Sequence, residues 1–567
     1  MTKRPKGVTR REFIELAAVG TAGVTTVGLG TSSAFAATPK RGGTLNCGMP
    51  FLIQNPDPHR RTGTWARQFM ALSWEGLVTP TSVGERMRIT REKGPDAVPE
   101  VQPMLADSWE IEKNGARYVF HLKKGVKFHH GKELDSGDVK WSWERIKDPA
   151  HRSTARAILT QFLDTVETPD KYTVVANLSR PYAAFLIGNA WCNTCILPKD
   201  SIPQGAIWGE TPTFKPDRVA PPGTGPFEVA EYQQKHQAVF KRHENYRVPG
   251  LPYLDKVVYK IISKPSPRTM ALRAANIDYA NGLESNWAGN ILKGKMDKIE
   301  QPIHLKEEKL IVWAHQYGGT HALYPNSHDK LGNSPFRDVR VRQALDLCID
   351  RYKLCKVLYG DLMIPKYQGF HPAISPWGFK DIKPKPPNIE KAKQLLKEAG
   401  YPNGVDVDFY VTPTWGKQDV MAQIVQQMAK PAGFRMKIIP QVGLQYWGHI
   451  RARNYHIMVY GLMGEDPMNF YYYYLHGRPE KPWDGYGILG AKDEIMNQLL
   501  DDMAGEINPK KRKAKFKKVV LRSNELGYFI PYGEPITVNG WNEKLKNFKP
   551  WNYYFPEEGF REVWIDT

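Results

Sequence analysis

Three groups of residues are of the types that do chemistry. Cys192 and Cys195 stand in a C-x-x-C spacing, which suits thiol exchange or half of a metal site. His129 and His130 are adjacent imidazoles, and Lys510 to Lys518 sets seven cations in nine residues, the composition of a polyanion-binding patch. Each has a plainer reading. No second C-x-x-C exists and no thioredoxin-like context surrounds the first, so a structural disulfide between Cys192 and Cys195, or two packed thiols, is expected. The two histidines follow a strand-like run and read as turn residues rather than metal ligands. Within the basic run, Ala514, Phe516, Val519, Val520 and Leu526 predict a helix beginning at Asn508-Pro509, with an apolar inner face and a solvated basic outer face. Cys348 and Cys355 lie seven apart on a predicted helix, a rise of about 10 Å, too far to bridge, and are expected in the core. The motifs H-E-x-x-H, G-x-S-x-G and G-x-x-x-x-G-K-[ST] are absent, which weighs against a metalloprotease, a typical α/β-hydrolase and a P-loop ATPase.

The elements that position these residues must come from a chain of 567 residues, 41% hydrophobic and 11% aromatic, enough for several domains with packed cores and unlike a disordered chain. The net charge is +20, of which +3 belongs to residues 1–36. That segment carries Thr9-Arg10-Arg11-Glu12-Phe13, a mild apolar stretch from Leu16 to Leu29, and Ala34-Phe35-Ala36 in the small-x-small form of a cleavage site. It resembles a twin-arginine signal peptide, removed after Ala36, and its apolar run is shorter than the ~20 residues of a membrane-spanning helix. A soluble product outside the cytoplasm is expected, with no nucleic-acid role. The remaining +17 suits anionic ligands or an anionic membrane surface, depending on where the charges lie.

Along the mature chain, residues 42–49 read as a strand and Trp65 to Leu77 as a helix. Two strand-like runs, at 109–111 and 117–122, are joined by the hairpin signal Asn114-Gly115. Asp135 or Ser136 can cap a helix over Val139 to Ile146. Helical spacing recurs at 337–358, 389–399, 420–429 and 510–526, while 405–411 and 436–439 read as strands, so a parallel or mixed sheet is expected in the second half.

Several blocks in order resemble the family 5 solute-binding proteins of ABC importers, the peptide, opine and nickel class. They are Pro103 to Glu110, Val119 to Lys132, Asp138-Val139 with Trp143-Glu144-Arg145, Gly223-Thr224-Gly225-Pro226-Phe227, Pro335 to Leu345 with Ile349-Asp350-Arg351, and Lys391 to Tyr401. The resemblance implies an α/β two-lobe periplasmic binding protein clamshell, type II and cluster C, with an additional β-rich domain and two hinge strands. Lobe I would comprise 41–80, 221–308 and 528–567, the additional domain 81–220, and lobe II 309–527.

The resemblance also places the ligand. Peptide binders of this class set an aspartate shortly before an Asp-Pro pair, here Asp466-Pro467, to hold the peptide ammonium group; the aligned residue is Met463. Either Glu465 takes over that contact, or the ligand has no free amino terminus; alternatively Glu465 and Asp466 only order a loop. Trp377 falls where the family carries a tryptophan near the cleft mouth, and Glu284 and Ser285 where its first lobe presents loop residues. Trp415 follows a predicted strand, where side chains face a cleft, and Tyr446 and Trp447 follow the next one. Flat rings of this kind suit sugar faces, cationic heads or heterocycles. With 16 tryptophans in the chain, most must be structural.

The function so implied is a periplasmic receptor that captures a small solute (peptide, opine or oligosaccharide-like) between two lobes and delivers it to an inner-membrane permease with its ATPase. It would act as a monomer, without cofactor and without chemistry of its own. An exported hydrolase would instead need converging catalytic groups in the cleft, and an envelope chaperone or sensor co-receptor would bind unfolded chains or a receptor domain.

Overall fold

The run Val405-Asp406-Val407-Asp408-Phe409-Tyr410-Val411 alternates apolar and polar side chains, and it forms the strand Val405–Val411 with the valines and Phe409 buried. The strand pairs in parallel with Phe434–Pro440 and Ile457–Met463. Parallel neighbours need crossovers, and the helices Gln418–Ala429 and Gly443–Ala452 make them. Gly319–Pro325 joins Ile457–Met463 in antiparallel register, so the sheet is mixed. In the other half, Thr44–Met49 lies in parallel between Lys256–Ile261 and Tyr279–Ala280. Gln237–Arg242 and Phe227–Gln233 extend that side in antiparallel fashion.

The computed structural model describes residues 38–566 apart from 51–54, 61–65, 82–88, 90–91, 93–100, 191–193, 296–300, 317–318, 329–332, 371–374, 414–415, 464–465, 478–492 and 549–559, and positions 152, 154, 160, 161, 204, 215 and 470. The signal segment therefore lies outside the described residues. All elements named here belong to one unit, Lys40–Thr567.

One strand unites the two halves. Ile530–Asn542 is 13 residues long. Its first residues pair with Gly319–Pro325, and its later ones with Leu310–Gln316 and Tyr279–Ala280. The short strand Met363–Pro365 covers Gly533 to Pro535 between these two stretches. The chain passes from one half to the other twice, once after Leu310–Gln316 and once along Gly533 to Ile536.

A separate four-stranded antiparallel sheet runs Ala106–Glu112, Arg117–Leu122, Thr173–Leu178, Leu163–Asp170. Its first hairpin turns where Asn114-Gly115 predicts it, at φ 54° and 90°, conformations that asparagine and glycine adopt readily. The helix Ser136–Lys147 packs on this sheet through Val139, Trp143 and Ile146. Asp135 caps it, accepting from Asp138 N while the Asp138 carboxylate accepts from Asp135 N. The apolar core under this sheet continues into Tyr446, Tyr471 and Phe516, so the small sheet shares its interior with the second half.

Two local expectations fail. The helix expected over 337–358 is two helices, Val339–Cys348 and Arg351–Tyr359. Asp350 breaks it, because its carboxylate accepts from Lys353 N and so caps a new start. Cys348 and Cys355 are both buried, with burial pushing each thiol up to about 12. In the basic helix Pro509–Leu526, Ala514 is exposed and Arg512 is buried in its place. A cation can line a core when a carboxylate waits there, and Asp466 does.

The Gly223-Thr224-Gly225 block owes its glycines to backbone contact. A Cβ on Gly223 would lie 1.8 Å from Ser73 O, and one on Gly225 2.7 Å from Leu72 O. Neither backbone oxygen can swing aside. Gly223→Ala is expected to cost about 3 kcal/mol or more, read as a lower urea midpoint at unchanged slope; an unaltered midpoint would refute the clash.

Candidate functional site

The register fixes where the strand ends point. Ile530–Asn542 runs antiparallel to Gly319–Pro325, with His321 opposite Gly533, and antiparallel to Tyr279–Ala280. The carboxyl ends of Val405–Val411, Phe434–Pro440 and Ile457–Met463 therefore face the crossing from one side. Those of Thr44–Met49, Lys256–Ile261 and Tyr279–Ala280 face it from the other. In open α/β sheets the crevice beyond the carboxyl ends is where ligands sit. Here two such crevices confront each other across the shared strand Ile530–Asn542.

Of the segments nominated from sequence, those around Glu284 and Ser285, around Tyr446 and Trp447 and at Met463 follow or end strands whose carboxyl ends form this rim. Glu284 and Ser285 follow Tyr279–Ala280, and the Glu284 carboxylate accepts from Asn286 N at 3.0 Å and Trp287 N at 2.8 Å, capping the helix Ser285–Leu292. Glu284→Ala is expected to cost about 1 kcal/mol, checked by urea unfolding of solute-free protein; an unchanged midpoint would deny the cap its energetic role. Tyr446 is buried, and its hydroxyl both donates to Val459 O and accepts from Val459 N, binding the helix Gly443–Ala452 to its strand. Trp447 is half-buried, edge-on to Tyr460 at 5.2 Å. Met463 ends its strand opposite Gly319. Trp415 and Glu465 lie outside the described residues, as does Cys192. Cys195 is buried, its carbonyl oxygen 2.8 Å from His59 Nε2.

Trp377 is 4% exposed, edge-on to Phe516 at 6.1 Å, and beneath the Arg512 guanidinium at 4.9 Å. Arg512 reaches past it to Asp466 at 2.5 Å, and Asp466 Oδ1 also accepts from Met468 N. Trp377, Arg512 and Asp466 thus meet from three distant segments, with Asp466 ordering the turn after its strand.

The polar groups buried at the crossing itself belong to none of the motifs that stand out in the sequence. Asn539 takes Gly282 N on its oxygen and reaches His315 with its nitrogen at 3.2 Å, while the His315 ring stacks on Trp313 at 4.3 Å. His321 lies edge-on to Tyr532, and burial holds its imidazole down to about 4, hence neutral at neutral pH. A Cβ on Gly416 would come within 3.1 Å of the His321 ring, which places that ring under the loop after Val405–Val411. Lys366 pairs with Glu534 at 3.1 Å, at 5% and 1% exposure. Burial lowers the lysine, and Glu534 counters in part. The available signal was a polar residue at an inward position of an apolar strand, as in Trp313-Ala314-His315 and Thr320-His321. His129 and His130 form a turn, as expected, and the His129 ring accepts from Gly223 N and faces Gly225 O. Among the described residues no group of three or more His, Cys, Asp or Glu could hold a metal. Nor is any helix among them long and apolar enough to cross a membrane.

Two α/β halves, a strand shared between them and opposed carboxyl ends define a two-lobe clamshell of the type II periplasmic binding proteins. The chain belongs to the bacterial extracellular solute-binding proteins, family 5, whose middle-region model matches residues 100–482. It is similar to the heme-binding protein A of Haemophilus influenzae, 26% identical over 485 residues, covering 80% of this chain and 83% of that one. It is also similar to the dipeptide-binding protein of Escherichia coli, 29% identical over 398 residues, covering 66% and 70%. The solved structure of AgaA from A. tumefaciens R10, in complex with agropinic acid, superposes with a TM-score of 0.76 at 25% identity, covering 92% of this chain and 99% of that one. The protein is a substrate-binding component of an ABC importer, from a family of small-molecule binders.

Proposed function

We propose that the mature chain, exported by the twin-arginine route and cleaved after Ala36, works as a soluble periplasmic monomer. It encloses one small solute between lobe I (41–80, 221–308, 528–567) and lobe II (309–527), with 81–220 as the additional domain. It releases the solute unchanged to an inner-membrane permease driven by an ATPase. The observation that carries this reading is the confrontation of strand carboxyl ends across the shared strand Ile530–Asn542. Bending at the crossings closes the crevices on a ligand, and the ligand favours the closed form only as far as it contacts both sides.

The solute is opine-like or sugar-like rather than a peptide with a free amino terminus. Met463 stands where the class's peptide binders place their aspartate, Asp466 is engaged by Arg512, and rings such as Trp447 offer flat apolar faces. Agropinic acid, bound by the similar AgaA, illustrates such a solute.

Native purification, denaturation and mass spectrometry of the released small molecule test both parts. A single amine-free or opine-type solute, recovered intact, is the expected result. A peptide mixture would overturn the choice of solute and leave the receptor reading standing. No bound solute, together with no thermal shift from opines, sugars or peptides, would overturn the receptor reading itself.

A further inference from the structure

We propose that the outer face of the helix Pro509–Leu526, with the neighbouring segment 380–383, is a docking face for an anionic phospholipid surface. The helix is asymmetric in charge. On one flank Lys515 is paired with Glu506 and Arg522 with Asp493, so that side is neutralised. On the outer face Lys510, Lys511 and Lys518 are exposed, with Glu525 as the carboxylate among them. On the other flank Lys513 and Lys517 lie over the Phe379 ring, each at 5.8 Å. Phe379 brings its own neighbours: Lys380 and Lys383 are exposed, and Asp381 binds Lys517 at 2.6 Å. Two segments more than a hundred residues apart thus merge into one basic surface, with Glu525 and Asp381 as its acids among the described residues.

The chemistry of the surface points to lipid. Both arginines of the helix are turned away from it, Arg512 inward to Asp466 and Arg522 to Asp493, so the exposed cations are lysines alone. Lysines are mobile point charges without the planar fork that reads a carboxylate stereospecifically. Among the described residues no exposed aromatic anchor lies in this surface, whereas protein interfaces concentrate their energy in such anchors. Diffuse lysines match a fluid plane of diffuse negative charge, and Leu521, 50% exposed, adds a small apolar contact on the outer face. A receptor held weakly at the membrane would find its permease by a search in two dimensions.

This rests on the reading that the chain serves a membrane permease, yet the test needs neither permease nor solute. Purified mature protein is sedimented with phosphatidylcholine vesicles containing 30% phosphatidylglycerol (about 30 mol% as an experimental setting), and with pure phosphatidylcholine vesicles. Binding to the anionic vesicles alone is expected, falling at least about tenfold between low and high salt. The triple variant Lys510→Gln, Lys511→Gln, Lys518→Gln should lose about tenfold or more. A control that removes the same charge elsewhere on the exposed surface, Lys353→Gln, Lys397→Gln, Lys437→Gln, should keep binding. Equal loss in both variants would overturn the patch in favour of net charge. Absence of vesicle binding would overturn it in favour of an acidic protein partner or none. Matching urea midpoints for both variants exclude misfolding as the cause.

Discussion

Acidification through pH 6 toward pH 4 is expected to strip stability from this protein at up to about 4 kcal/mol per pH unit. Three buried imidazoles cause it. Burial holds His59 and His129 down to about 3 and His321 to about 4, with Arg145 adding to the effect on His59 and His243 to that on His129. Geometry gives the same answer, since the His129 ring accepts from a backbone N–H and so must carry a lone pair there. Each folded value lies below the ordinary 6.5, so the unfolded chain takes up protons first. Stability is full above that value and is lost as pH falls toward the folded ones. Urea midpoints at pH 7, 6, 5 and 4.5 (about one-unit steps across the window set by these values) should fall with steepening slope, and His59→Asn should flatten the slope by about a third. A midpoint independent of pH over this range would show that these imidazoles are not held neutral.

Arg512→Met is expected to destabilise the fold by about 3–5 kcal/mol. Asp466 is wholly buried and Arg512 is 3% exposed, so removing the cation leaves a carboxylate in the interior. The guanidinium also covers the Trp377 ring, and methionine replaces only part of that contact. Adding Asp466→Asn should recover a good part of the loss, because the amide oxygen still accepts from Met468 N without a buried charge. Urea unfolding of the two single variants and the double variant measures the coupling. Additive effects would mean that the pair is not coupled, and Asp466 would return to the set of residues available to a ligand.

The rim and the core diverge for a physical reason visible in these residues. Asp466 and Trp377 both carried a ligand expectation from the resemblance, yet one guanidinium engages both. Glu284 keeps its rim position while its carboxylate serves a helix start. None of this could be read locally, because Arg512 stands in a run of cations that reads as solvated throughout. The one cation of the run that is buried is set by where Asp466 arrives, 46 residues away in sequence.

What the amino-acid sequence determined alone are the features governed by a few neighbouring residues. These include the alternation that makes Val405–Val411 a strand, the Asn114-Gly115 turn, a helix start at Asp135 or Ser136, of which the structure takes Asp135, and the Pro509–Leu526 helix. Ordered blocks along the chain were enough to point to the family. The tertiary structure alone decided that Ile530–Asn542 belongs to both halves, that the strand ends of the two halves face each other, and that Lys380 and Lys383 join the basic helix. Propensities, caps and turns act over one or two helical turns of chain. Burial, ion pairing and imidazole shifts depend on groups delivered by remote segments, and only the packed chain brings those together.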